Sequence, residues 1–204
     1  MRGLCEFSLG QYGPAEEHLA KAMDLGPVSD EPMWWVVVYH QAILDLRAGA
    51  FERALLPLRQ RAQRPDRPPE VQEACGLRLL RRALLPSDIP DETRDFVRDV
   101  GRAECASLAG RRAEAERLFT SLLERHPRER HLHYGYGLLL AQGGQAEAVE
   151  AFRRETERHP DHVLAHVELA FNLLKLGRPE EAVEAAESAV RLDPEIFVTH
   201  LALG

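Results

Sequence analysis

Histidines, cysteines and a few carboxylate pairs are the side chains of this 204-residue chain that could do chemistry. The nine histidines include two groups: His126, His131 and His133, then His159, His162 and His166. His162 and His166 are four residues apart, so they share a helix face, which is a two-ligand spacing. No HExxH accompanies them and no cysteine lies nearby, and two ligands make a weak site. His126 and His159 directly precede prolines, where a cation near a helix C-terminus is simply favourable. The expected role is structural, with no metal and no cofactor; metal binding by these groups is the weaker alternative, open to zinc titration. Cys5, Cys75 and Cys105 are odd in number and lack CxxC spacing, so neither a disulfide framework nor a zinc knuckle is indicated. Their expected role is that of buried small hydrophobes. Glu16-Glu17 and Glu180-Glu181 sit where helices are expected to start, and the helix macrodipole accounts for them. The glycine pair in GGQAE, at 143–147, lacks the second half of a phosphate loop, and no nucleophile elbow or dinucleotide fingerprint is present. The chain is expected not to be an enzyme.

The elements that carry these residues are helices. The sequence has 30 Leu and 26 Ala against 13 Val, 3 Ile and 4 Thr. Unbranched side chains keep their rotamer freedom in a helix and β-branched ones lose it. An all-α chain is therefore expected. The net charge of −7 argues against general nucleic-acid binding and against an anionic membrane surface. The basic residues Arg53, Arg59, Arg61, Arg64, Arg67, Arg78, Arg81 and Arg82 form one island, but interspersed acids dilute it, and a solvated face is the expected reading. No stretch approaches the ~18 apolar residues of a membrane span.

Punctuation reveals a period. Pro127, Pro160 and Pro194 are 33 and 34 residues apart. Seventeen residues before each stands Gly110, Gly143 or Gly177; twelve before, Ala115, Ala148 or Ala182; eight before, Phe119, Phe152 or Ala186. Pro27 repeats the frame with Gly10, Ala15 and Leu19. Each window reads as a helical hairpin. In the last one, Asp161 is expected to cap a helix over about 162–176, Gly177 to stop it in a left-handed conformation, and Pro179 to begin a second helix. Ala182, Ala185, Ala186 and Ala189 make a small-residue seam there, with Ala170 opposite Ala182.

The pattern resembles the tetratricopeptide repeat family, best in LAFNLLKLGRPEEAVEAAESAVRLDP at 169–194 and also in 8–27, 108–127 and 133–160. The resemblance implies a right-handed superhelical solenoid of antiparallel helical hairpins. Its expected repeats are 1–27, 28–65, 91–127, 128–160, 161–194 and a partial one at 195–204, in a single solenoid over 1–204. An irregular helix is expected at 66–90, seen as a lone helix over 69–85. Pro57 should bend the second helix of its hairpin. Arg102 stands where the family prefers Leu, and Gly135-Tyr136 where it has Leu-Gly. The chain begins and ends inside helices and neither end has a polar capping face, so a segment of a longer array is expected.

In this family the first helix of each repeat lines a concave groove. The resemblance places Arg130, His133, Tyr134, Val167, Glu168, Phe171, Leu174 and Lys175 in it as the partner-binding positions. Only Arg130 and Lys175 are basic there, so a clamp for a peptide's C-terminal carboxylate is disfavoured. An apolar, aromatic groove implies a protein or peptide partner with apolar anchors; the bland reading of Tyr134 and Phe171 is packing between repeats. The expected function is a non-catalytic protein–protein interaction scaffold. The alternatives are self-association through open solenoid ends and the terminal helices, or an accessory region of a larger enzyme or regulator. The lack of a signal-peptide pattern in this segment favours the cytoplasm.

Overall fold

The computed structural model describes residues 1–26, 32–64 and 68–195. Among the described residues there are eleven α-helices, one 3₁₀ turn and no strand. They form two compact units, Met1–Leu118 and Phe119–Gly204.

The first unit contains α1 (Arg2–Ser8), α2 (Tyr12–Leu25), α3 (Pro32–Arg47), α4 (Leu55–Ala62), α5 (Pro69–Leu79), α6 (Asp91–Leu108) and the start of α7 (Arg112–Arg125). The second holds the rest of α7 with α8 (Leu132–Leu140), α9 (Gln145–Arg158), α10 (Val163–Lys175) and α11 (Pro179–Leu192). In the first unit α1 pairs with α2, α3 with α4 and α5 with α6; in the second α8 pairs with α9, α9 stacks on α10, and α10 pairs with α11.

The turns explain the period. Gly10, Gly49, Gly110 and Gly177 all have left-handed φ, between 70° and 75°. At each, the glycine N–H donates to the carbonyl three residues back, and the next N–H to the carbonyl five back: Gly177 to Leu174 and Arg178 to Leu173, both at 3.0 Å. This closure satisfies the last helical carbonyls, and glycine adopts it without a Cβ penalty. Gly143 lies in the α8–α9 turn but closes differently, with Gly143 and Gly144 both donating to the Leu140 carbonyl.

The irregular region follows the same rule with the wrong residue. The helix expected over 69–85 ends at Leu79 because Arg81 takes the left-handed conformation, φ 51°. Arg81 N–H donates to Arg78 O and Arg82 N–H to Leu77 O, which is the glycine closure built on an arginine. A 3₁₀ turn at Pro86–Asp88 then leads to α6. Pro57 falls in the first turn of α4, where its missing N–H costs nothing, so it shortens that helix rather than bending it. The N-cap of α10 is His162, with no side-chain cap bond; Asp161 is turned to Arg130 instead.

Each unit has its own core. Ala15, Leu19, Val37 and Leu44 cluster in the first. In the second, Phe152, Leu169, Ala170, Leu173, Ala182 and Ala185 belong to one cluster, so Ala170 and Ala182 share it as expected. The bulky positions of the period, Phe119 and Phe152, are both fully buried. Phe152 lies on Gly137, where a Cβ would sit 2.5 Å from the ring. Arg102, at a position the family fills with Leu, is exposed and bonded to Asp99 at 3.6 Å.

Candidate functional site

Two of the histidines singled out from sequence, His131 and His162, meet in the second unit at the N-termini of α8 and α10. His131, the N-cap of α8, has φ 71°, a costly conformation for a residue with a Cβ. There its N–H meets Glu155 Oε1 at 2.8 Å, while Tyr134 N–H reaches Oε2 at 3.2 Å. Thus Glu155, from α9, supplies the cap that α8's own sequence lacks. Its residue is 0 % exposed. Burial pushes its carboxyl up, but the hydrogen bonds from His162 and the His131 N–H outweigh that and hold it below the ordinary carboxylate range.

An ionised Glu155 only accepts hydrogen bonds. His162 must therefore carry its proton on Nδ1, which lies 2.9 Å from Oε1. Its Nε2 lies 3.1 Å from His131 Nδ1, and one proton between these two nitrogens makes the hydrogen bond. The two imidazoles meet edge to face, and Tyr134 packs against His162 and Phe152. Outside this network, Arg130 places Nη1 3.0 and 2.9 Å from the two Asp161 oxygens. That hydrogen bond holds the Asp161 carboxyl below its ordinary range. Both connections tie the loop before α8 to the loop before α10.

Among the described residues, His131, Glu155 and His162 are also a group that could hold a metal ion, with ligand atoms all within 4.8 Å of one another. A metal there would replace the proton shared by the imidazoles, with Glu155 orienting His162 through its other nitrogen. Sequence spacing grouped the histidines differently. The structure joins one member of each group, whereas His166 Nε2 bonds the Pro160 carbonyl.

The eight groove positions separate by burial. His133 and Val167 are buried. Burial, then the charge of Arg158, lowers the pKa of His133. Tyr134, Glu168 and Phe171 are half-buried, Lys175 is exposed and Leu174 is 54 % exposed. Phe171 and Leu174, with Ala170, Ala182, Val183 and Ala186, line an apolar pocket of about 110 Å³ between α10 and α11.

The first unit has a cavity that spacing did not reveal. It has a volume of about 450 Å³, with Phe7, Tyr39, Ile43, Glu73, Arg94 and Arg98 in its wall. Buried Glu73 holds Arg94 at 3.3 Å and Arg98 at 2.8 Å. The only trace in the sequence is two arginines four apart on α6. The basic island is not a free patch: Arg53 pairs with Asp45, Arg78 with Glu104 and Arg81 with Glu52, while Arg67 lies outside the described residues. No helix among the described residues is long and apolar enough to cross a membrane.

The tetratricopeptide repeat family model matches residues 109–148 and 139–195. These residues are tetratricopeptide repeats. The turns at Gly110, Gly143 and Gly177 all fall within the matched stretch, and the repeats account for the helical hairpins of the second unit. No curated protein matches the chain. Among solved structures, YrrB, described as a TPR protein with an unusual peptide-binding site, is similar at 13% identity over 98% of this chain and 87% of its own, TM-score 0.47. MamA of AMB-1 is similar at 21% identity over 80% of this chain and 94% of its own, TM-score 0.46. TTC0263, a thermophilic TPR protein of Thermus thermophilus, is similar at 18% identity over 98% and 92%, TM-score 0.44.

Proposed function

We propose that the repeats of the second unit hold a protein or peptide segment through one or two apolar anchors. The observation that carries this reading is the apolar pocket lined by Phe171 and Leu174, with Val183 opposite and more than half exposed. A partner side chain entering it removes apolar surface from water on both molecules. Glu168 and Lys175, on α10 with Phe171 and Leu174, supply polar contacts beside it, while Tyr134 lies against His162 at the other end of α10 and meets a longer segment. Arg130 contributes by holding Asp161, and His133 and Val167 by supporting the face from below. The test pans a phage-displayed random peptide library against the whole chain. Enriched peptides should share large apolar residues, and Leu174→Glu should weaken them at least ~10-fold, about 1.4 kcal/mol. Peptides without a shared anchor, or unaffected by that variant, would refute the reading.

A second reading is favoured by the outer face of α11. Val183 and Val190, 55 % and 43 % exposed, stand seven residues apart on one face of the helix with Ala186 between them. An apolar stripe of this kind suits a second copy of the chain.

A further inference from the structure

Helices α5 and α6 touch through their backbones. A Cβ on Gly76 would lie 2.0 Å from the Val97 carbonyl oxygen, and one on Gly101 would lie 1.7 Å from that of Gln72. Only glycine permits this approach, and it fixes what stands beside it. Cys75 precedes Gly76, and Cys105 follows Gly101 by one helical turn. Their sulfurs are 2.7 Å apart, and the Cys105 thiol also faces the Val71 carbonyl at 3.8 Å. Both are free thiols and both are buried, Cys75 at 0 % and Cys105 at 2 % exposure, whereas Cys5 is exposed.

We propose that Cys75 and Cys105 are a dithiol that a small oxidant of the peroxide class closes to an intramolecular disulfide, locking α5 to α6. The sulfurs need to approach by only about 0.7 Å to reach bonding distance. One thiolate attacks hydrogen peroxide, its sulfur is oxidised to a sulfenic acid, and hydroxide leaves and takes up the thiol's proton as water. The second sulfur then attacks the sulfenic sulfur, the S–S bond forms, the S–O bond breaks, and a second water leaves with the second thiol's proton. Two thiols and one peroxide thus give one disulfide and two waters. Burial excludes larger reagents and keeps the sulfenic acid beside its resolving partner, which blocks further oxidation. Burial also pushes the Cys75 thiol well above its ordinary value. The thiolate is therefore scarce, and closure is slow compared with modification of Cys5.

The experiment treats the whole chain with hydrogen peroxide, removes the oxidant, then unfolds and alkylates it with iodoacetamide for intact-mass analysis. Under mild oxidation, a Cys5→Ser background should lose about two hydrogen masses and take up no alkyl group, against two alkyl groups before treatment. A peptide map should show Cys75 joined to Cys105. Adding Cys75→Ser should abolish the intramolecular link, and the oxidised chain should melt several degrees higher than the reduced one, as expected for closing a loop of this length. Two alkylated cysteines after exhaustive oxidation, or sulfinic acid in place of the link, overturns the proposal. If the serine variant does not fold, the mass and peptide map of the Cys5→Ser chain decide alone.

Discussion

Glu155 is the residue on which most of the candidate site converges. Three donors end on its two oxygens, and all belong to segments that would otherwise be loops or helix starts. Glu155→Gln keeps the shape but removes the charge and turns an amide donor toward a donor. It is expected to cost about 2–4 kcal/mol, read from urea unfolding. The sign of the pH effect follows from the direction of the shift. A carboxyl held below its unfolded value contributes stability above that value and loses it as pH falls through the folded one. His133 acts in the same sense at higher pH. Its folded pKa is lowered, so the unfolded chain takes up the proton first and stability declines as pH drops below about 6.5. Melting temperature against pH should therefore fall in two stages from neutrality. His133→Gln should flatten the upper stage and Glu155→Gln the lower; curves unchanged by both would remove these groups from the account. The sequence marked the histidines but not Glu155, which joins them. The bonds join residues 31, 24, 21 and 7 positions apart, and the His131 N–H meets Glu155 from a left-handed backbone that its residue type does not announce.

The helices were far more legible, because their ends carry the signal. A glycine at a left-handed position, an alanine where two backbones meet and a proline past the end each have a local physical cause, and the cause recurs with the repeat. Gly177 shows the scale of one such position. Gly177→Ala meets no steric obstacle, since nothing lies within 4 Å of the added Cβ, so its cost is the left-handed backbone alone. About 1 kcal/mol is expected, seen as a small drop in melting temperature. Gly101→Ala differs in kind. Its Cβ would collide with the Gln72 carbonyl, which α5 cannot withdraw without leaving α6. A loss of about 3 kcal/mol or more is expected, and a variant as stable as the parent would mean that α5 and α6 do not touch there. The same comparison explains the misread region. The turn at Arg81 has the glycine closure without the glycine, so periodicity carried the expected helix past its true end.

For the molecule as a whole, charge and apolar exposure pull in opposite directions. The net charge of −7 makes copies repel at low ionic strength. Short-range burial of the α11 stripe would draw them together once that repulsion is screened, which at about 0.1 M salt happens beyond roughly 10 Å. If α11 is a self-association face, the mass from light scattering should rise above 23.0 kDa with protein concentration. It should rise further with added salt, because screening removes the repulsion and leaves apolar contact intact. Val183→Glu should hold the chain at its monomer mass, since it places a charge in the stripe and Val183 is too exposed for the fold to depend on it. Salt dependence of the opposite sign would assign the contact to ion pairs and away from α11. A constant monomer mass at all concentrations would leave the face to a different partner, the outcome that the Phe171–Leu174 pocket favours.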